Sequence, residues 1–393
     1  MFMFFQALLV TLAVFFGMAL NYLFNFFMAR SLSPALYGEL AIVIALYNDL
    51  FVPGGSLQML ATREIARLDK KGKENKINYL VKKLGLIALS IGLVFSILLL
   101  LSSLFIDKFL SDGQLKVPLQ VMAFGVPFAF VLSITKAYLQ GKERMVEFSL
   151  LTAAEPTIKL VFGVSLVFLG FGLVGASTSL VIPSIFLLAI YSRIFFKQGE
   201  RHEIKISKSF IVLTITSMLM MLYFYLDLYF VRLYLGAEQT GYYNVASITS
   251  KVLVYASGGL TAVVLPKYSK ENSKRLKPII VNSLIFTLPI LVIFLLMPDF
   301  IIKFFYSEKY LLVTDTFVIL CFAMFVHSLF RVFATLLWSR KKDDAVLVLT
   351  IIGLLAEFIM LIAFAKYGIK PVAYSVLASS VLMTVSCFAF LKK

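Results

Sequence analysis

The sequence predicts an all-α, polytopic membrane protein with twelve transmembrane helices in two six-helix lobes. Three observations carry that expectation: an extreme apolar content, a one-sided distribution of positive charge, and an internal repeat. Of 393 residues, 61% are hydrophobic, and the mean hydropathy is +0.94. A soluble domain cannot bury that much apolar surface.

Apolar runs of the roughly 20 residues needed to span a bilayer occur at 2–28, 36–62, 84–106, 116–140, 148–169 and 173–196. A second set follows at 209–234, 241–265, 279–301, 312–338, 345–365 and 371–391. The opening "MFMFFQALLVTLAVFF" looks like a signal-peptide core. It lacks a basic leader, and the run continues to Met28 without a small-residue cleavage site, so it reads as a retained first helix. The predicted lobes are residues 1–196 and 197–393. No connection between helices is long enough for a soluble domain.

The net charge of +16 invites a nucleic-acid reading, but its placement excludes one. Twenty-five of the 37 Lys and Arg residues fall in the even-numbered connections and at the C-terminus. Seven fall in the odd-numbered connections, and five lie within spans: Lys136, Lys159, Arg232, Lys251 and Arg331. Such an asymmetry predicts a protein of the cytoplasmic (cell) membrane with both termini in the cytoplasm. Two cysteines and two histidines (Cys321, Cys387, His202, His327) offer neither a disulfide framework nor a metal site. No cofactor is expected.

The chain also states one phrase twice. Asn25 precedes Arg30 by five residues, as Asp227 precedes Arg232. Gly38 answers Gly241, Gly54-Gly55 answers Gly258-Gly259, and "FGLVG" (171–175) answers "YGIKP" (367–371), at offsets near two hundred. This is a duplication of six helices. Because six is even, both copies enter from the same side, which predicts lobes related by an axis along the membrane normal around a central cleft.

The stretch "ARSLSPALYGELAIVIALYNDLFVPGGSLQMLATREIAR" (29–67) closely resembles the first-to-second helix signature of Wzx-type polysaccharide flippases. Its marks are the arginine, the small turn, "YG", a long apolar run and the "R-x-I-A" exit. These flippases belong to the multidrug/oligosaccharidyl-lipid/polysaccharide (MOP) exporter superfamily. The resemblance implies a MATE/MOP-like fold and alternating-access flipping of a polyprenyl (pyro)phosphate-linked oligosaccharide for polysaccharide biosynthesis. The peptidoglycan-precursor branch carries arginines midway along its first helix. Here Asn21 and Asn25 stand in that stretch and the spans number twelve, so the resemblance points away from that branch.

Charges at bilayer depth cost several kcal/mol unless they pair or face water, so they are the candidate site. Lys136 and Arg331 occupy corresponding helices, one turn apart in the repeat, and a basic residue from each lobe suits an anionic head group. The competing reading is a charge paired inside its own lobe or snorkelling to the interface. Asp49 and Lys251 stand at adjacent positions of the two copies, either as a lock between lobes or as cleft-lining residues. The neighbouring "PGG" (53–55) and "SGG" (257–259) weaken both helices there. Asn25 and Asp227 put a polar handle on the first helix of each lobe. Asp227 and Asp49 are candidates for coupling to Na⁺ or H⁺, and Asp227 is also within helical reach of Arg232. Arg30 and Arg232 read as interfacial anchors. Glu155 and Lys159, spaced i,i+4, read as a structural ion pair, and Glu357 is the approximate repeat counterpart of Glu155.

Two transport readings follow, a lipid-linked oligosaccharide flippase or a cation-coupled multidrug exporter. Either would act as a monomer among membrane lipids. An enzyme is not expected: the one adjacent acidic pair, Asp343-Asp344, follows Arg340, Lys341 and Lys342 in a short connection. A passive scaffold would not need charges at depth in both lobes.

Overall fold

Apolar length sets the helices, and glycine and proline set their ends. The computed structural model describes residues 2–110, 114–204, 206–257, 277–340 and 342–391. Gly258 and Gly259, the end of the eighth predicted span (258–265), and Lys205, Lys267, Lys270, Lys274, Arg275, Lys341, Lys392 and Lys393 lie outside them. The chain divides into two units, Met1–Phe210 and Ile211–Lys393, and each is described by itself.

In the first unit, α1 (Phe2–Ser31) gives way to α2 (Pro34–Asp69). Ser33 caps α2, its Oγ accepting from Leu36 N–H at 3.3 Å, and Pro34 occupies the first turn, where its missing N–H costs nothing. The turn is therefore made by Ser31–Ser33. Gly38 and its repeat partner Gly241 are not turn residues but are buried inside helices. Contrary to the expected break, α2 runs through Pro53. Next come α3 (Glu74–Leu110), α4 (Lys116–Gly141), α5 (Met145–Leu166) and α6 (Gly172–Tyr191). The central helix is α4, packed against α2, α3 and α6. Its apolar residues are spread around the circumference rather than gathered on one face, the pattern of a helix packed on several sides. A Cβ on Gly92 of α3 would stand 2.6 Å from the Cα of Pro127, so only glycine permits that approach.

The second unit opens with α7 (Lys208–Ser250). Forty-three residues of straight helix would measure about 65 Å, twice a bilayer core. The chain breaks instead at Gly236, whose φ of 84° and ψ of 177° suit glycine alone. The two arms are the seventh predicted span and the start of the eighth. Then follow α8 (Lys277–Leu296), α9 (Pro298–Phe305), α10 (Thr314–Ser339), α11 (Asp343–Phe364) and α12 (Ile369–Leu391). The predicted ninth span, 279–301, needs correction. Pro298 cannot donate to the preceding turn, so the helix ends at Leu296 and α9 leaves at 88°. In this unit α10 is the central helix, packed on α12.

Among the described residues, nine continuous helical stretches are long and apolar enough to cross a membrane, or ten with the bent pair. Two of the nine, Met145–Phe195 and Lys208–Ser257, are double spans of 51 and 50 residues. Dividing them at Gly170–Gly172 and Gly236 recovers the twelve predicted crossings, and the molecule is a multi-pass membrane protein. The repeated "FG" and "YG" also acquire a cause. Gly172 (φ 47°) and Gly368 (φ 122°) turn the chain between the fifth and sixth crossings of each copy.

In the first unit the even-numbered connections meet at one face. Lys142, after α4, bridges Asp69 and Glu74 at 2.6 Å each, tying it to the α2–α3 turn. Burial pulls its ammonium down, but the two carboxylates together outweigh it and hold the group above its ordinary value. Glu200 N–H donates to the Asn75 carbonyl at 3.0 Å, so the sixth connection joins the same cluster. In the second unit, Lys342 donates to the Phe390 carbonyl at 3.1 Å, while Lys370 pairs with Asp315 at the other end.

Candidate functional site

Among the described residues, each unit brings polar side chains together within its apolar helices. In the first, α1 contributes Asn21 and Asn25, one turn apart. Asn25 is 6% exposed. Its amide nitrogen donates to the Asn21 carbonyl at 2.9 Å, and its Oδ1 accepts from the Tyr37 hydroxyl of α2 at 3.4 Å. Asn21 in turn accepts from Lys159 of α5, whose ammonium lies 4.6 Å from the centre of the Phe24 ring.

Glu155 pairs with Lys136 of α4, not with Lys159 as the i,i+4 spacing predicts. The reason is geometric. Side chains lean toward the N-terminus of their own helix, and α4 and α5 run antiparallel from a tight turn, so Lys136 and Glu155 lean toward each other. Both members of the pair stay partly exposed, at 16% and 28%. Asp49 is half-buried on α2.

In the second unit, Asp227 is buried on the first arm of α7. Its Oδ2 accepts from the Tyr243 hydroxyl at 2.7 Å and its Oδ1 from Leu228 N–H at 2.8 Å. Tyr243 sits on the second arm, so the contact staples the seventh crossing to the eighth as Tyr37 and Asn25 staple the first to the second. Lys251 is also buried, donates to the Phe224 carbonyl at 2.6 Å, and lies 4.5 Å from the ring centres of Phe224 and Tyr225. Arg232, expected at the interface, is 4% exposed, whereas Arg30 is open to solvent.

Asn25, Lys251 and Asp227 are thus packed inside their own units rather than lining open space. Arg331 behaves differently. It is exposed on α10, although its neighbours Phe330, Val332, Phe333 and Ala334 are all buried. Two further residues join the second cluster. Glu357 of α11 is 0% exposed, neither carboxylate oxygen has a hydrogen bond, and it lies within electrostatic reach of Asp227 and Lys251. His327, one turn before Arg331, stacks on Tyr223 at 5.1 Å, and the Tyr223 hydroxyl contacts Ser379 and Ser380 at 2.9 Å each. The sequence signal for Glu357 was present: past the first turn it is the one charge in α11. His327 gave no periodic signal.

A bare carboxylate without hydrogen bonds is costly at this depth. A proton or a monovalent cation shared by Glu357 and Asp227 would remove the cost, and oxygen donors suit either. Among the described residues no group of three or more His, Cys, Asp or Glu is placed to hold a metal ion.

The sequence matches a family model described as "Polysaccharide biosynthesis protein" over residues 27–315. No curated protein matches it. Among solved structures, the fold is similar to a multidrug-resistance MATE transporter of the MOP superfamily in an inward-facing conformation. That likeness has a TM-score of 0.75 at 13% identity, covering 96% of this chain and 94% of that one. It is similar also to the lipid II flippase MurJ in an inward closed conformation, with a TM-score of 0.75 at 18% identity over 98% and 88%. A third likeness is a MOP-superfamily transporter from Pyrococcus furiosus, described as having a binding pocket of reverse polarity, with a TM-score of 0.67 at 17% identity over 98% and 94%. At these identities the likeness is one of fold.

Proposed function

The chain belongs to the polysaccharide biosynthesis protein family, and from that premise we propose that it flips a polyprenyl (pyro)phosphate-linked oligosaccharide across the cell membrane. The carrying observation is Arg331, an exposed basic residue within the apolar span of α10 whose sequence neighbours Phe330, Val332, Phe333 and Ala334 are buried. A permanent cation there is paid for by an anionic ligand, and arginine can grip a phosphate bidentately. In this reading the six-helix lobes 1–196 and 197–393 alternate access as a monomer, with both termini cytoplasmic. Lys136 and Asp49 present polar groups to the cargo. The fold shared with the lipid II flippase MurJ fits a lipid-linked cargo.

The buried carboxylates Asp227 and Glu357 favour a coupling role in the second unit, with H⁺ or Na⁺ resetting the empty carrier. They also support a second reading, a cation-coupled multidrug exporter. The two differ in the charge of the cargo. An anion leaving a negative cytoplasm gains about 2.3 kcal/mol per charge per 100 mV, while a cation loses the same.

The test uses proteoliposomes holding a lipid-linked oligosaccharide. An outside-positive potential should speed flipping, Arg331→Ala should abolish it at normal protein abundance, and Arg331→Lys should restore part. Retained flipping in the alanine variant, or extrusion of cationic dyes with no flipping by the wild type, would defeat the flippase reading.

A further inference from the structure

The first unit's cluster holds two lysines and one carboxylate. Glu155 neutralises Lys136, while Lys159 is left with a neutral amide oxygen and an aromatic face. Glu155 and Lys159 are four residues apart on α5, where Cβ atoms lie about 5–6 Å from each other, and the two already sense each other's charge. A rotation about the Glu155 side-chain bonds therefore carries its carboxylate from Lys136 to Lys159 without backbone movement. The Lys136–Glu155 pair is not sealed: both side chains keep some accessible surface.

We propose that Lys136 is a phosphate-binding residue whose built-in occupant is the Glu155 carboxylate, and that Lys159 is the parking place for Glu155 when a phosphate arrives. This rests on the flippase reading and adds to it a specificity device. A phosphate or diphosphate monoester displaces Glu155 from Lys136, and the released carboxylate pairs with Lys159. The empty carrier keeps Lys136 neutralised, and the loaded carrier keeps Glu155 neutralised. Neutral and cationic lipids cannot make the exchange. Glu155 and Lys159 act here as positioning residues, each working through Lys136.

The exchange makes a coupled prediction. With farnesyl diphosphate as probe and the purified full-length chain, Glu155→Gln removes the competitor and should tighten binding about tenfold, the scale of one charge-assisted hydrogen bond. Lys159→Met leaves Glu155 with nowhere to go and should weaken binding by a similar factor. In the Glu155→Gln background the same Lys159→Met change should have no effect, because no carboxylate needs parking. Farnesol should bind none of the variants detectably better than the wild type. If Lys159→Met weakens binding equally in both backgrounds, Lys159 touches phosphate directly and the exchange is wrong. Unchanged or weaker binding in Glu155→Gln also overturns it. Should that variant not fold, Glu155→Asp, which shortens the reach to Lys136, must tighten binding in its place or the proposal falls. Coupling between the two sites in a protein that flips no lipid-linked oligosaccharide would keep the exchange and remove the flippase. Flipping without coupling would do the reverse.

Discussion

The Tyr243 hydroxyl donates to Asp227 at 2.7 Å across the fold-back of α7, and both residues are buried. The equivalent bond in the first unit, Tyr37 to Asn25, is longer at 3.4 Å and has a neutral acceptor. The sequence separations are 16 and 12, a difference of one helical turn. The copies thus keep the contact while shifting the residue that supplies it.

The two staples should differ in strength. Tyr243→Phe leaves a buried carboxylate short of a donor and should cost about 1–3 kcal/mol, while Tyr37→Phe should cost about 0.5–1 kcal/mol. Thermal melting of the two variants in detergent checks the order. Equal losses would mean that the charge on Asp227 adds nothing.

Glycine at the fold-back should be needed for its backbone alone. A Cβ on Gly236 meets nothing within 4 Å, so Gly236→Ala carries only the conformational cost of φ 84° with ψ 177°, about 1–3 kcal/mol. Gly55 in α2 likewise has open space but ordinary helical geometry. Gly55→Ala should therefore be neutral or stabilise by up to about 1 kcal/mol. Parallel melting curves with opposite signs are the expected outcome.

Lys142 should tie the α2–α3 turn to α4 only while protonated. Its folded value is raised, so the stabilisation is complete below the ordinary lysine value of 10.5 and is lost as pH rises through the higher folded value. The melting difference between wild type and Lys142→Met should be flat from neutral pH to about 10 and shrink above it. A difference that shrinks between neutral pH and about 6, above the ordinary carboxylate range, would assign the effect elsewhere.

Cysteines placed at Lys73 and Arg201 should react with an impermeant maleimide only from the cytoplasmic side, and one at Gln114 only from outside. All three positions are exposed. Outside labelling at Lys73 would invert the orientation.

Much of this architecture is legible along the chain because a bilayer imposes a length. A crossing needs about 20 apolar residues, and glycine or proline must end it, so the spans and the turns at Gly172, Gly236 and Gly368 leave local marks. The bend at Pro298 also had its mark, though apolar residues continue past it and hid it.

The partners of the membrane charges left no such mark. Helical spacing offered Glu155 to Lys159, yet the lean of side chains on antiparallel α4 and α5 gave it to Lys136, and Asn21 of α1 took Lys159. Asn25 and Asp227 stood out in sequence as polar handles, and the neighbouring crossing turned each into the acceptor of a tyrosine. Sequence by itself determined which residues cross the membrane and which charges go with them, because insertion depends on local apolar length. Tertiary structure decided which charges pair, which are covered and which, like Arg331, stay open, because those depend on distances between helices that no spacing along one helix encodes.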